Sequence, residues 1–289
     1  MYPYPFSYHR PASVAEALQL IDEHGEDGKV LAGGHSLLPV MKLRLAQPAH
    51  LIDITRLDDL RGISAADGSV RIGALTTHHD ILTSDLLAES VGLLPEMAHV
   101  VGDQQVRNRG TIGGTLAHAD PAADYPAGIL ALDATIIATG PNGERQIPAS
   151  EFFTGFLETA IEPNELVTAI TIPALSPSTG FRYEKLANPA SGYAIVGVAA
   201  IVDLAADGTI ARARIGITGA SDVAWRATKV EDALVGASLD DDALKQAAAL
   251  AVGDRELLVD VHAPEGYRER VTKNLVFRAV KRAAERASA

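Results

Sequence analysis

Two glycine-rich segments restrict the possible folds of this chain more than any other feature of its sequence. Residues 32–36 read AGGHS and residues 111–115 read TIGGT, and each lies beside a short apolar run typical of a buried strand. Consecutive glycines let the backbone adopt conformations closed to other residues and bring its amides close to a ligand. Several amides around one concavity, with Ser or Thr hydroxyls beside them, form an anion site. The pair predicts two loops that hold the two phosphates of a dinucleotide from opposite sides, although either loop alone also fits a tight structural turn.

The common nucleotide-binding and hydrolase motifs do not occur in the sequence. There is no G-x-G-x-x-G that opens a helix and no G-x-x-x-x-G-K-[ST], and Ser36 does not lie in a G-x-S-x-G elbow. A Rossmann NAD domain, a nucleotide triphosphatase and a serine hydrolase are therefore disfavoured.

The apolar periodicity around the glycine-rich segments predicts a mixture of helices and strands. Ser13 and Glu16 have the spacing of a capping box before a helix, and a helical stretch over 77–101 is interrupted near Gly92 and Pro95. A further short helix is predicted at 126–132, and strands are predicted at 29–32, 51–54, 70–73, 135–138 and 166–172. Residues 173–180, rich in Pro, Ser and Gly, are the best candidate linker.

Beyond the linker the pattern changes to strands followed by helices. Strands are predicted at 181–185, 193–204 and 210–217, and Asp207-Gly208 is a hairpin signal between the last two. Helices follow at about 226–236, 240–252 and 264–287. A three-stranded antiparallel sheet backed by helices is the packing that this order favours. On the last helix the basic residues share one side, which we interpret as a solvated face: Arg278, Lys281, Arg282 and Arg286.

Composition excludes several functional classes. The net charge is −12 and the basic residues are scattered, which argues against binding of nucleic acid. The chain has no cysteine, so disulfides, thiolate zinc sites and iron–sulfur clusters held by this chain are excluded. No apolar run reaches the roughly 20 residues of a membrane span, and residues 1–6 do not resemble a signal peptide. We therefore expect no transmembrane segment and a cytoplasmic location.

The two glycine-rich segments, read with their flanks, resemble a known family. Residues 32–45 (AGGHSLLPVMKLRL), followed by IDI at 52–54, are similar to its first flavin loop. Residues 105–126 (QVRNRGTIGGTLAHADPAADYP) are similar to its second. The family is the FAD-binding medium subunit of the molybdenum hydroxylases. Within it, the carbon monoxide dehydrogenase type is the most similar in the sequence of these segments. The resemblance covers nearly the whole chain.

This resemblance implies an α+β fold and a place in a larger enzyme. The implied fold is a two-part FAD-binding domain of the vanillyl-alcohol-oxidase (PCMH-like) type, with parts at 1–57 and 58–175. A C-terminal domain at 178–289 would follow, with a three-stranded antiparallel sheet and a helical bundle. The implied partners are a large subunit with the molybdenum cofactor and a small iron–sulfur subunit, in a dimer of heterotrimers. Electrons from the clusters would pass through FAD to an external acceptor, and substrate oxidation would occur on the large subunit.

The resemblance also implies which residues contact FAD. From the first loop these are Leu31, Ala32, Gly33, Gly34, His35, Ser36 and Leu37. From the second they are Thr111, Gly113, Gly114, Thr115 and Ala117, and the two loops would hold the pyrophosphate between them. Asp124 would accept from sugar hydroxyls, and Leu166 would pack on the cofactor. Lys185 would donate to the isoalloxazine ring and Tyr193 would stack on it.

Several alternatives remain open at this stage. A stand-alone flavin oxidase or reductase of the same wider fold would need its own proton-transfer residue, for which Lys185 or Tyr193 is the obvious candidate. A non-catalytic nucleotide-binding protein is a second alternative. No catalytic residue and no metal site are predicted, because the spacing of His118, Asp120 and Asp124 gives little support to metal binding. Arg107 and Arg109 flank the second segment and would face either a phosphate or a partner subunit. Trp225 would pack either in a core or at an interface with a partner.

Overall fold

The computed structural model describes residues 2–288 and shows an α+β architecture built on three main sheets. The first sheet is parallel, in the order β1-β3-β2. Its strands are β1 (Ser7–His9), β2 (Gly28–Leu31) and β3 (His50–Asp53), and its helices are α1 (Val14–His24) and α2 (Leu37–Lys42). Ser13 caps α1 by accepting from the Glu16 amide at 3.1 Å, whereas the Glu16 carboxylate accepts from the Ala12 amide at 2.7 Å. In the predicted capping box, the Glu16 side chain therefore bonds the amide of the residue before Ser13 and not that of Ser13 itself.

The second sheet is antiparallel and has the order β4-β5-β10-β6-β7. Its strands are β4 (Ile63–Ala66), β5 (Ser69–Gly73), β6 (Thr135–Gly140), β7 (Gly143–Pro148) and β10 (Leu166–Pro173). A short helix α9 (Ala149–Phe152) leads into a small hairpin of β8 (Phe153–Gly155) and β9 (Glu158–Thr159). The strands of this sheet that the periodicity does not predict, β4 and β7, are edge strands with mostly exposed residues.

Six helices connect β5 to β6. They are α3 (His78–Leu82), α4 (Asp85–Ser90), α5 (Leu93–His99), α6 (Gln104–Arg107), α7 (Ile112–His118) and α8 (Tyr125–Ala131). Pro95 does not interrupt α5, because it lies in the first helical turn, where its amide would have no intrahelical partner. The breaks come instead at Ser84, which caps α4, and at Val91 and Gly92 before α5.

The C-terminal region is a second antiparallel sheet backed by helices. Its strands are β11 (Gly180–Ala187), β12 (Ala194–Leu204), β13 (Ile210–Thr218) and the two-residue β14 (Trp225–Arg226), in that order across the sheet. Its helices are α10 (Thr228–Leu234), α11 (Asp241–Ala248) and α12 (Glu265–Ala287). Gly208, at φ +83°, lies in the predicted hairpin between β12 and β13. The expected three strands are present, and β14 adds a short fourth that places Trp225 in the core.

Two large apolar cores lie on opposite faces of the C-terminal sheet. One lies between this sheet and α10–α12 and includes Trp225, Leu244 and Val276. The other joins the second sheet and α3–α8 to the opposite face, where Tyr183, Ala199 and Ile201 contribute to it. The regions on either side of the predicted linker therefore share a continuous apolar core. A smaller core lies under the first sheet.

The basic side of α12 is half-exposed to solvent, in agreement with our interpretation from the sequence, and it also forms ion pairs within the protein. Arg278 bonds Glu184 at 3.0 Å and Arg286 bonds Glu96 at 2.6 Å, while Lys281 bonds Asp241 at 2.7 Å. The basic residues are half-exposed and tie α12 to acidic groups of β11, α5 and α11. Among residues 2–288, no helix is both long and apolar enough to cross a membrane.

Candidate cofactor site

The first glycine-rich segment is the connection between β2 and α2. Gly34 has φ +77°, a left-handed conformation that favours glycine, and the imidazole Nδ1 of His35 lies 3.2 Å from the Gly33 carbonyl oxygen. Within residues 2–288, the amides of residues 33–36 donate to no protein acceptor. Buried amides are almost always paired. In this loop only His35 is exposed and the other three residues are half-buried, so the four consecutive free amides are available to an external acceptor.

The second segment packs directly against the first. A β-carbon on Gly33 would lie 2.2 Å from the carbonyl oxygen of Arg109 and 2.9 Å from the Cα of Gly110. A β-carbon on Gly114 would lie 3.8 Å from that of Ala32. Only glycine at position 33 permits this approach of two backbones. The two segments therefore lie side by side, as a shared dinucleotide site requires.

The amides of the second segment are mostly used inside the protein. Thr111 caps α7, so this segment is the start of a helix and not an open loop. The Gly113 amide donates to the Ala74 carbonyl at 2.9 Å, and the Gly114 amide donates to Thr111 Oγ1 at 3.2 Å. A β-carbon on Gly113 would lie 2.4 Å from that of Ala74, so this glycine is needed for close packing. The first segment is thus the main source of free amides, and ligand contacts by Gly113 and Gly114 stay a prediction.

The remaining predicted residues of the two loops lie around this contact. Leu31 and Leu37 flank the first segment as the last residue of β2 and the first of α2. Ala117 is exposed on α7, and the Thr115 hydroxyl donates to the Thr111 carbonyl at 3.2 Å. Leu166 is 7% exposed and packs in the core under the first sheet, which also contacts Ala32.

Asp124 and Lys185 form a buried ion pair that joins α8 to the C-terminal sheet. Lys185 Nζ lies 2.8 Å from Asp124 Oδ2 and 3.1 Å from the Val100 carbonyl, and the hydroxyl of Tyr183 donates to Asp124 Oδ1 at 2.6 Å. Both charged side chains are 6% exposed. Burial raises the pKa of Asp124, and the charge and hydrogen bond of Lys185 oppose this shift. The ammonium keeps capacity for one further hydrogen bond and the carboxylate for about two.

The pKa of Tyr183 is raised well above its ordinary value for related reasons. Burial is the largest cause, followed by the charge of Asp124 and the hydrogen bond to it. Tyr183 is therefore a neutral hydrogen-bond donor that holds the carboxylate in place.

Tyr193 connects the C-terminal region to the first segment. It lies immediately before β12 and is 41% exposed. Burial and the charge of Asp120 raise the pKa of Tyr193, and the nearby Ser36 hydroxyl partly opposes them. The structure thus brings the predicted aromatic residue beside the loop of free amides.

Neighbouring residues are placed as follows. Arg107 Nη1 donates to the carbonyls of Val101 and Gly102 at 3.1 Å each, and a contact of Arg107 with a phosphate or a partner stays a prediction. Arg109 is exposed and contributes its carbonyl to the contact with Gly33. His118 Nε2 lies 4.0 Å from Asp120 Oδ2, while Asp124 is paired elsewhere.

His78 is a buried residue of the site that the sequence does not single out. Its amide donates to the Gly110 carbonyl at 3.0 Å, and its ring lies against Gly110, where a β-carbon would come within 2.6 Å of Nε2. Burial, with smaller contributions from His35 and Arg107, lowers the pKa of His78 to about 4. His78 is therefore a neutral packing residue behind the second segment.

Comparison with protein families matches both halves of the chain. Residues 4–175 match the model described as "FAD binding domain in molybdopterin dehydrogenase". Residues 181–283 match the model described as "CO dehydrogenase flavoprotein C-terminal domain". Together the two matches cover nearly the whole chain.

Curated relatives and solved structures agree with these matches. The chain is 41% identical to the carbon monoxide dehydrogenase medium chain of Hydrogenophaga pseudoflava, over 97% of each chain. It is 38% identical to the glyceraldehyde dehydrogenase medium chain of Sulfolobus acidocaldarius, over 98% of this chain and 100% of that one. Its fold superposes on a chain of Hydrogenophaga pseudoflava carbon monoxide dehydrogenase with a TM-score of 0.96 at 42% identity, covering 99% of both. The match to quinoline 2-oxidoreductase from Pseudomonas putida 86 has a TM-score of 0.95 at 33% identity and covers 100% of both.

Proposed function

This chain belongs to the FAD-binding medium-subunit family of the molybdenum hydroxylases, and from this premise we propose that it is the electron-transfer subunit of a multi-subunit oxidoreductase. In this proposal, electrons reach its FAD from iron–sulfur clusters on a partner chain and leave to an external acceptor. Substrate oxidation takes place on a separate subunit that carries the molybdenum cofactor.

The observation that carries the proposal is the loop of free amides packed against the second glycine-rich segment. The four amides of residues 33–36, with the Ser36 hydroxyl, supply the donors that a diphosphate needs. The absence of a β-carbon at Gly33 lets the second segment approach to backbone contact. The residues present therefore fit a flavin nucleotide, and we assign the pyrophosphate to residues 32–36 and to Thr111 and Thr115.

The C-terminal region supplies the rest of the proposed site. Tyr193, whose hydroxyl lies near that of Ser36, offers an aromatic face beside the first segment. Lys185 and Asp124 hold each other in a fixed ion pair, and both keep hydrogen-bonding capacity for the cofactor. Bound flavin supplies the redox chemistry, and the protein supplies binding, orientation and the local charges.

The partners are proposed from the chain's composition and from its relatives. The chain has no cysteine, so thiolate-held iron–sulfur clusters must belong to another subunit. Its relatives include medium chains of carbon monoxide and glyceraldehyde dehydrogenases. We propose a large molybdenum subunit and a small iron–sulfur subunit, in a dimer of heterotrimers, and we expect the substrate to be chosen by the large subunit.

The domain organisation is part of the same proposal. We assign residues 1–57 and 58–175 to the two parts of the FAD-binding domain and 178–289 to the C-terminal domain. The first range contains the parallel sheet, the second the five-stranded sheet, and the third the sheet that includes β11 to β14.

Cofactor binding is tested on the purified chain by its absorption spectrum. We expect a yellow protein that releases one equivalent of FAD on denaturation, or an apoprotein that becomes yellow when FAD is added. A colourless chain that binds neither FAD nor FMN at micromolar concentrations would contradict the assignment of the cofactor.

The electron-transfer role is tested on the native complex. Purification from the source cells through this chain should recover two further subunits, with molybdenum and iron in fixed ratio to FAD. Recovery of a flavoprotein alone, active with its own substrate, would favour the stand-alone oxidase or reductase instead. That alternative has less support here, because Lys185, one of its two candidate proton-transfer residues, is held by Asp124.

A further inference from the structure

Three histidines from distant parts of the sequence meet at one end of the first sheet. His9 is the last residue of β1, His24 the last of α1 and His50 the first of β3. One ring nitrogen from each lies within 4.8 Å of the other two, and all three residues are half-buried. We propose that these histidines bind a divalent transition-metal ion, of which Zn²⁺ is the best fit.

The spacing of the ring nitrogens is close to what a metal requires. His9 Nε2 and His50 Nδ1 lie 2.9 Å apart. Tetrahedral zinc holds imidazole nitrogens at roughly 2.0–2.1 Å, which places two of them about 3.4 Å from each other. Rotation of the side chains would bring the three nitrogens around one ion, and water would complete the coordination.

The hydrogen bonding of the cluster is incomplete without a ligand. The His9–His50 contact uses one proton between two rings, and it offers nothing to the third histidine. His24 Nε2 is buried and has no hydrogen-bond partner within residues 2–288. A metal ion replaces the shared proton and gives all three nitrogens a partner, which removes the penalty for the unpaired one.

The position in the fold favours a cation. His24 lies in the last turn of the 11-residue helix α1, whose carboxyl end carries partial negative charge. The rings of His24 and His50 are stacked, with centroids 3.7 Å apart and planes 11° apart, so at least one ring has to tilt for both to bind one ion. Three neutral imidazoles without thiolates suit Zn²⁺ or Cu²⁺ better than Mg²⁺ or Ca²⁺.

This cluster is separate from the proposed cofactor site. His50 pairs with Gly28 at the start of β2, whereas the first glycine-rich segment follows Leu31 at the other end of that strand. The two ends are about 10 Å apart along the strand. A metal here would cross-link β1, α1 and β3 and so stabilise the element from which the free amides project.

The experiment is a zinc titration of the full-length chain without a histidine tag, after removal of metals with a chelator. Competition with a chromophoric zinc indicator should show one zinc ion per chain, and zinc should raise the Tm. His24→Gln and His50→Gln should each weaken zinc binding by at least about 10-fold, because loss of even an outer-shell partner has an effect of that size. His99→Gln, which changes an exposed histidine on α5, should bind zinc as the unchanged protein does.

A second measurement avoids dependence on the variants. Cobalt(II) added to the unchanged chain should give the intense visible bands of a tetrahedral site, at longer wavelengths than flavin absorbs. Zinc binding that is equally tight in the His24→Gln, His50→Gln and His99→Gln proteins would overturn the proposal, as would the absence of both zinc binding and cobalt bands. FAD content is measured in parallel and should not change in any of these proteins, so this test is independent of the proposed function.

Discussion

Gly33 tolerates an added side chain less than any other residue in the proposed cofactor site. A methyl group there would lie 2.2 Å from the Arg109 carbonyl oxygen, and a backbone carbonyl cannot rotate away as a side chain can. We expect Gly33→Ala to separate the two segments, with strain of about 1–3 kcal/mol and a loss of FAD affinity of roughly 10- to 100-fold. The measurement is FAD titration of the apoprotein by flavin fluorescence.

A matched control is available where β11 packs against α12. A β-carbon on Gly180 would lie 1.8 Å from the Ala283 carbonyl oxygen, so Gly180→Ala introduces the same kind of clash between β11 and α12. It should lower the Tm yet leave the FAD affinity of the folded protein unchanged. Equal affinity in the Gly33→Ala and unchanged proteins would show that the contact between the segments is not needed for binding.

His78 gives the free energy of unfolding a defined pH dependence. Its pKa is about 4 in the folded protein and 6.5 ordinarily, so the unfolded chain binds a proton first as the pH falls. The stability is therefore fully present above about pH 6.5 and is lost progressively toward pH 4. Between pH 7 and 4.5 this residue should lower the free energy of unfolding by about 2 kcal/mol.

The contribution of His78 is isolated by a difference measurement. Urea unfolding of the unchanged protein and of His78→Gln is followed across this pH range, and the variant should show the shallower dependence. His99→Gln, at an exposed position, should follow the unchanged protein. Parallel curves for all three proteins would contradict a buried neutral His78.

At the scale of elements, one acidic residue of β11 forms the ion pairs between this strand and α12. Glu184 is 5% exposed, bonds Arg182 Nε at 2.8 Å and Arg278 at 3.0 Å, and also bonds Arg282. Burial alone would raise the pKa of Glu184, but the Arg182 hydrogen bond and the charges of Arg182 and Arg278 lower it overall. This carboxylate therefore stabilises the protein above about pH 4.5, and the effect is lost as the pH falls below that value.

We expect Glu184→Gln to destabilise the protein by about 1–3 kcal/mol at pH 7, because it removes the charge while keeping the shape. The half-exposed arginines are partly screened by solvent, which keeps the effect in this range. Glu144→Gln, whose exposed pair with Arg71 is 3.9 Å long, should change the free energy of unfolding by less than about 0.5 kcal/mol. The difference between the Glu184 variant and the unchanged protein should shrink toward pH 3; a difference that is constant with pH would rule out the charge as its cause.

The sequence predicts the buried helices and strands well, and it predicts the exposed edge strands and the glycine-containing helix poorly. The strongly apolar strands and the three C-terminal helices lie within a few residues of their predicted positions, because burial imposes a clear period. By contrast, β1 and β7 carry polar residues at sheet edges, and α7 contains two glycines that disfavour a helix. These elements form because they make backbone hydrogen bonds to neighbouring segments of the fold. The local pattern of apolar residues carries no information about such bonds.

The sequence predicts those parts of the candidate site whose residues are close together in the chain. The two glycine-rich segments were visible, and the structure brings them into contact. The pairing of Asp124 with Lys185 and Tyr183 was not visible, since the partners are 61 and 59 residues apart. The same holds for the three histidines at positions 9, 24 and 50, which only the parallel sheet and α1 bring together.

At the scale of the whole molecule, one apolar core crosses the predicted linker. Tyr183, Ala199 and Ile201 of the C-terminal sheet pack in the core that also includes Ile136 and Met97. The two sides of the linker should therefore unfold together. Trp225, the single tryptophan, lies in the C-terminal core, so its fluorescence and the far-ultraviolet circular dichroism should give coincident thermal transitions.

A fragment provides the sharper form of this prediction. Residues 2–175 alone would expose the apolar surface that the C-terminal sheet covers, and we expect the fragment to aggregate or to unfold without a cooperative transition. A fragment that melts cooperatively and binds FAD as tightly as the full chain would show that the shared core is not needed for folding.

The contact between the two glycine-rich segments has an unequal consequence for their sequences. Position 109 contributes only its carbonyl oxygen, which every amino acid possesses, whereas position 33 must lack a side chain altogether. In a library randomised at both positions and sorted for yellow colonies, almost any residue should survive at 109 and only glycine at 33. A single backbone contact thus restricts the residue type at position 33 and places no restriction on the side chain at position 109.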